Sequence, residues 1–482
     1  MIRSRLWGGF RSLFSRFGKD SRGNIAVIFT LAMIPVLTAI GCAVDYTMAT
    51  RMKVKLQAAA DAASVAALAQ KSPGYIAAAA MTSDGSVTAA VTDAQNVFNG
   101  NMNGVTGYTL SSLAATVTKT GIVLASNVQF KATVPVIFLK VIGFTTLTLT
   151  GSSSSTASLP PYLDFYLMLD VSGSMGLPST NAEQTRLAAI NPDNYSQYPN
   201  GCTFACHFTA QNACGNSSQK YNTNGYCMGY TLSRNAGNSG NTPVTACSTD
   251  GTSACIQLRA DAVGYAVTQL FVTANASRKV TNQFRIGLYP FIQNLYGYFP
   301  LTSSINGSTT NSSTINYAAA NLASLLDTGV NSNLGSGGTH FENAFPTMNS
   351  LIASVGDGST SINTLPYVFL VTDGAQNYQT QWNFGWSGSN SATTFDPALC
   401  TTLKRRGITI SVLYIPYQPI QNPTSFANSE DFYANSNIPY IPPVLKSCAS
   451  TNFFFTANTP ADITTALNAM FNQALKSAHI TN

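Results

Sequence analysis

Between Ile25 and Val44 the chain runs for 20 residues without a charged side chain. At about 1.5 Å per residue, a helix of that length crosses the roughly 30 Å hydrocarbon core of a bilayer. Pro35 and Gly41 are tolerated in such a helix. A cleaved secretory signal is the competing reading, but 20 apolar residues exceed the usual apolar core of a signal, and no small-x-small site follows directly. We therefore expect an uncleaved anchor, and with it a chain divided into an inside and an outside.

Charge distribution supports that division. The net charge is +6, yet Arg3, Arg5, Arg11, Arg16, Lys19 and Arg22 against Asp20 place +5 in the first 24 residues and leave +1 for the other 458. Such clustering is a membrane-topology signal rather than a phosphate-binding surface, so nucleic acid is not an expected partner. The excess of Lys and Arg before the span over Arg51, Lys53 and Lys55 after it puts the amino terminus in the cytoplasm and everything beyond Asp45 outside. The expected location is the bacterial inner membrane, single-pass, with the bulk periplasmic. Residues 1–24 form a basic leader that either lies on the membrane as an amphipathic helix or is an unstructured tail.

Cysteines point the same way. Cys42 lies in the apolar run; the other eight are Cys202, Cys206, Cys214, Cys227, Cys247, Cys255, Cys400 and Cys448. Six of them fall within 54 residues of polar, Gly/Asn-rich sequence, which reads as a disulfide-stapled insertion in an oxidising compartment. The pairing among those six is open; Cys400 and Cys448 are candidates to pair with each other. Cys202-x3-Cys206-His207 is one residue too long for haem attachment, and only His207, His340 and His479 are available to complete a zinc site.

Residues 45–71 continue as an Ala-rich helix, with eight alanines between Ala58 and Ala69. It either packs closely on another helix or forms a plain stalk. Residues 72–160 are expected to be β-rich: a polar stretch, then strand-like runs at Ile122–Ala125, Val128–Leu139 and Thr146–Leu149. Gly151–Pro161, with Ser152–Ser155 and Pro160-Pro161, reads as a linker.

From 162 to 480 apolar strands alternate with helices, the pattern of a doubly wound α/β sheet. Leu163–Leu169 is nearly all apolar, as a central parallel strand should be, and it delivers Asp170, Ser172 and Ser174 at its carboxyl end. Tyr367–Thr372 is a second such strand and delivers Asp373. Between them Ser336–Thr339 reads SGGT, a Gly-rich loop that lets the Thr339 hydroxyl approach closely. Alternating oxygen side chains on such loops suit a hard cation, and open α/β sheets bind ligands beyond the carboxyl ends of their strands. The bland alternative is that Asp170 and Asp373 cap helices and the serines satisfy a turn. The next convincing helix after the first strand begins only at Ile256, so residues 177–255 are expected to be inserted beside this face.

Asp170-x-Ser172-x-Ser174, then Gly337-Gly338-Thr339, then strand-Thr372-Asp373-Gly374 resembles the metal-ion-dependent adhesion site of von Willebrand factor A domains. That resemblance implies a Rossmann-like fold in which Ser172, Ser174 and Thr339 contact Mg²⁺ or Mn²⁺ directly, while Asp170 and Asp373 hold it largely through waters. With few charged groups touching it, the ion stays electrophilic and takes a partner's carboxylate as its sixth ligand, so the implied partner is a protein with an exposed acidic residue. His340 is assigned a surface or supporting role. No Gly-x-Ser-x-Gly elbow or placed His activates Ser172, so an enzyme is not expected.

A second resemblance covers about the first 70 residues. Arg22-Gly23-Asn24 before the apolar span, Ala43-Val44-Asp45-Tyr46 after it, and Leu56-Gln57-Ala58-Ala59-Ala60-Asp61-Ala62-Ala63 resemble the amino-terminal segment of TadG-like proteins of the Tad/Flp pilus assembly system. This implies pilus or envelope components as partners. Prepilin-like proteins of these systems can be cleaved after a Gly with a Glu five residues into the mature chain; with Asn24 first, Ile28 holds that place, and the anchor is expected to stay.

Overall fold

The computed structural model describes residues 24–181, 184–185, 258–326, 332–382, 385–417, 419 and 430–480. The basic leader and the six cysteines from Cys202 to Cys255 lie outside these residues. The chain divides into two compact units, Met1–Leu159 and Pro160–Asn482.

The first unit is built on one helix, α1, Asn24–Ala66, 43 residues long. Its opening half is apolar and mostly exposed from Val27 to Val44, with Gly41 buried. Its closing half buries Leu56, Ala59, Ala60 and Ala63. Helices α2 (Pro73–Ala80) and α3 (Thr88–Met102) follow, with strands β1 (Gly85–Ser86), β2 (Thr109–Thr120), β3 (Val123–Pro135) and β4 (Thr146–Ser158). The four strands form one antiparallel sheet in the order β1-β2-β3-β4.

Of the two readings of the Ala-rich helix, close packing on another helix holds and the plain stalk does not: it packs on α3, and also on β3 and β4, of its own unit. Two expectations are corrected here. The Ser-rich stretch expected to be a linker is mostly strand, since β4 runs through Ser152–Ser155 to Ser158. Its small side chains let α1 come close. The Ser64 hydroxyl lies 3.0 Å from that of Ser153 and 2.9 Å from that of Ser155, and Gln57 Nε2 donates to the Ser152 carbonyl at 2.9 Å. The polar stretch before the strands folds as α2 and α3, because Ala90, Ala94, Phe98 and Met102 recur every four residues and give α3 a buried face among its Asn, Thr and Gly.

In the second unit the central sheet comprises β5 (Leu163–Asp170), β6 (Phe284–Phe291), β7 (Phe299–Thr302), β8 (Leu365–Thr372), β9 (Thr409–Tyr414) and β10 (Phe454–Thr456). Their order is β10-β9-β8-β5-β6-β7. All pairings are parallel except that of β7, an edge strand. Every residue of β5 is buried, as its nearly all-apolar sequence requires of a strand covered on both faces. One face is covered by α4 (Arg259–Ser277), α5 (Ile315–Ala320) and the last helix, Pro460–Ile480; the other by α6 (Phe341–Leu351), α7 (Ala398–Arg405) and Ile441–Cys448. A 3-10 turn at Leu322–Leu325 follows directly on α5, and α6 ends at Leu351. Cys400 on α7 is bonded to Cys448 at the end of the facing helix, with Cα atoms 5.3 Å apart. Closing a 48-residue separation stabilises the fold by about 4 kcal/mol on chain-entropy grounds.

The chain turns outward to β6 and β7 on one side of β5 and later to β8, β9 and β10 on the other. The winding therefore reverses between β5 and β8, where a doubly wound sheet opens a crevice at its carboxyl edge.

Candidate metal centre

Asp170 is the last residue of β5, and Asp373 follows directly on β8. The two strands are paired in register, so both carboxylates emerge at the switch point. Ser172 donates to Asp170 Oδ1 twice, from its backbone N–H at 3.0 Å and its hydroxyl at 2.6 Å. The Thr372 hydroxyl donates to Asp170 Oδ2 at 2.6 Å and accepts from the Gly374 N–H at 2.8 Å. Ser172 and Ser174 hydroxyls lie 3.4 Å apart, and Ser174 hydrogen-bonds Asp373. Asp170, Ser172, Ser174 and Asp373 thus form one connected cluster.

Thr339 arrives by a different route. Its backbone pairs both ways with Asn377, N to O at 2.9 Å and O to N at 3.3 Å, four residues beyond Asp373. The next N–H, that of His340, donates to the Ile292 carbonyl just past β6, at 2.9 Å. The loop is therefore pinned between segments leaving the carboxyl ends of β6 and β8, at the same edge as the cluster. Gly338, with φ of +67°, makes this possible, because a β-carbon there would collide with the Asn377 carbonyl. His340 is buried rather than at the surface. Its ring meets Glu342 at 2.7 Å and the Gln379 carbonyl at 3.1 Å, and Gln376 completes the brace with a 2.8 Å bond to Glu342.

Sequence reading missed Arg259. Its guanidinium and the Asp373 carboxylate have side chains 3% and 0% exposed, with Nη1 3.3 Å from Oδ2. Nη2 donates to the Pro416 carbonyl at 3.0 Å, and the group lies over the Tyr417 ring, 5.6 Å from its centroid. Arg259 follows the point where the expected insertion returns: Pro178 bridges Leu258, and the Arg259 N–H donates to the Leu177 carbonyl at 3.0 Å. The signal in the sequence was an Arg at the start of a largely apolar helix in a chain with only 9% charged residues.

The electrostatics are unbalanced. Burial, and then the neighbouring Asp373, push Asp170 up to about 7, against hydrogen bonds from Ser172 and Thr372. Burial raises Asp373 as well, opposed by Arg259 and by the Ser174 hydroxyl. Burial in turn lowers Arg259, opposed first by Asp373. Two buried carboxylates share one guanidinium, which leaves a negative charge with no fixed counter-ion, the condition that favours uptake of a cation. Among the described residues no group of three or more His, Cys, Asp or Glu converges as a metal cage. A metal here would rest on two carboxylates and neutral hydroxyls, a donor set of the all-oxygen kind suited to Mg²⁺ or Mn²⁺.

Residues 23–93 match the Tad family model, described as Flp pilus-assembly TadE/G-like. No curated protein matches the chain. Among solved structures the chain is similar to the open conformation of the pilus adhesin SpaC from Lactobacillus rhamnosus GG, at 12% identity and a TM-score of 0.33, covering 77% of this chain and 34% of that one. The chain thus spans about a third of the length of that adhesin. It is also similar to the vWF domain of the type V pili tip protein Mfa5 from Porphyromonas gingivalis, at 12% identity and a TM-score of 0.31, covering 67% of this chain and 97% of that one. The PilB minor pilin from Streptococcus sanguinis is similar at 10% identity and a TM-score of 0.31, over 77% of this chain and 78% of that one. The chain therefore joins a segment that matches the TadE/G-like model, residues 23–93, to a doubly wound α/β unit.

Proposed function

We propose that this is a membrane-anchored, pilus-associated protein whose second unit binds Mg²⁺ or Mn²⁺ and docks an acidic partner without breaking bonds. The observation that carries the reading is that Asp170 and Asp373 are both buried at the switch point with a single arginine, which contacts Asp373, beside them. Ser172, Ser174 and Thr339 offer hydroxyl oxygens, and the two carboxylates supply the charge. Thr372 orients Asp170, and Arg259 neutralises part of Asp373. A bound ion would supply the positive centre that accepts a partner's carboxylate. On this reading α1 crosses the inner membrane, with its amino end cytoplasmic and the bulk of the chain in the periplasm. Pilus or envelope components are the partners.

The test is retention of the full chain on purified Flp-type pili. Binding in Mg²⁺ that is lost in EDTA and in Asp170→Ala supports the reading. Equal binding in all three overturns it. That second outcome would favour the expected cysteine-rich insertion as the contact surface, a reading supported by the Pro178–Leu258 bridge, which brings both ends of that segment to the edge of the cluster.

A further inference from the structure

The tip of the β3–β4 hairpin is apolar where a hairpin tip in water is usually built from Gly, Asn, Asp and Pro. Residues 136–145 read VIFLKVIGFT, with a 3-10 turn over Leu139–Ile142. Ile137, Phe138, Val141, Ile142 and Phe144 are 64%, 44%, 78%, 53% and 56% exposed. Single exposed apolar residues are ordinary; five within eight positions make a patch that calls for a covering surface.

What covers it follows from where it is held. Phe138 lies across Gly41 of α1: a β-carbon on Gly41 would come within 2.5 Å of Phe138 Cβ and 2.6 Å of its Cγ. One turn further along α1, Asp45 is buried and accepts three backbone N–H groups from the tip, those of Ile137 at 3.0 Å, Phe138 at 2.8 Å and Leu139 at 2.7 Å. The tip is thereby clamped to the helix at the level of Gly41–Asp45. Gly41, about 6 Å of helix before Asp45, belongs to the uncharged run that ends at Val44. The helix surface leading up to the clamp, including Val27, Phe29, Leu31, Ile34, Leu37 and Ile40, is itself exposed and apolar. The tip patch continues that surface.

Charges at the tip fit a membrane boundary. The Asp45 carboxylate is occupied by three backbone donors, so its negative charge is buried and satisfied. The one charged side chain of the tip, Lys140, is exposed, and its long stem can lay its ammonium among lipid phosphates.

We infer that the β3–β4 tip is a second membrane contact, inserted into the leaflet through which α1 leaves the bilayer, with lipid acyl chains covering Ile137, Phe138, Val141, Ile142 and Phe144. This rests on α1 crossing the membrane. Two points of contact, helix and tip, then fix how the first unit is rotated about the helix axis, which a single helix leaves free.

The experiment uses the full chain reconstituted in phosphatidylcholine vesicles, carrying Val141→Trp or Phe144→Trp, with the emission of the unsubstituted protein subtracted. Both positions are exposed, so the substitutions leave packing intact. Val123→Trp, at the other end of β3, is the control. The expected result is blue-shifted emission at 141 and 144, quenched at least twofold when the acyl chains are brominated and little by aqueous iodide, with the reverse pattern at 123. Water-like emission quenched by iodide at 141 and 144 overturns the inference by placing the tip in solvent. Blue-shifted emission that bromolipid leaves untouched also overturns it, because protein rather than lipid then covers the patch. Failure of the unsubstituted chain to float with the vesicles removes the anchor itself, and is read separately from the fluorescence.

Discussion

The two ends of β5 carry one aspartate each and treat it oppositely. At the amino end Asp164 stands in register beside Arg285 of β6 and receives a two-pronged bond, Nε to Oδ1 at 2.7 Å and Nη2 to Oδ2 at 2.6 Å. The Thr364 hydroxyl adds a third donor at 2.6 Å. One carboxylate meets one guanidinium in good geometry, and nothing is left over. At the carboxyl end Asp170 has only neutral donors, and the nearby arginine sits 3.3 Å from the other aspartate. The same strand thus ends once in a closed structural pair and once in a cluster short of one positive charge. Burial of a carboxylate alone does not mark a site; burial without a matching cation does.

The contrast can be broken at either end. The largest effect is expected from Arg259→Met. It leaves Asp373 buried without a charge partner, and metal-free stability in denaturant should fall by about 3 kcal/mol. Mg²⁺ should restore most of that loss, because the vacated positive charge is what the cluster lacks. Asp164→Ala should cost about 2 kcal/mol, less because Arg285 is partly exposed and can turn to water. It should leave any response to Mg²⁺ unchanged. Asp170→Asn should act in the opposite direction, raising metal-free stability by about 1 kcal/mol through relief of repulsion while abolishing the metal response.

The smallest effect is a pH dependence. Asp170 has a folded pKa near 7, above its unfolded value, so the folded state holds the extra proton between about pH 4 and 7. Metal-free stability should therefore decline as pH rises through that window, and Asp170→Asn should flatten the decline. A wild-type curve that rises across the window would contradict the absence of a cation partner for Asp170.

Much of the second unit was legible because its strands are continuous apolar runs, which only a sheet covered on both faces accommodates. Asp170, Ser172, Ser174 and Asp373 were legible because each sits within a few residues of such a strand's end. Arg259 was not, since it reaches the cluster from a separate helix, after the long segment beginning at Leu177, and no local pattern ties it there. The edge strand Phe299–Thr302 and the helix Ile441–Cys448 escaped for a related reason. Four residues beginning Phe-Pro carry little strand signal, and Pro442-Pro443 reads as a helix stop although prolines suit a first turn. In the first unit Ser152–Ser155 looked like a linker because composition alone cannot distinguish a flexible serine run from an edge strand whose small side chains admit a helix.

The most direct test of the charge imbalance is calorimetric titration of Mg²⁺ and Mn²⁺ into the oxidised full chain in detergent, beside its Asp373→Asn and Asp164→Asn variants. The account predicts saturable one-site binding by the wild type and by Asp164→Asn, and none by Asp373→Asn. Binding that survives Asp373→Asn, or no binding by the wild type, would contradict it.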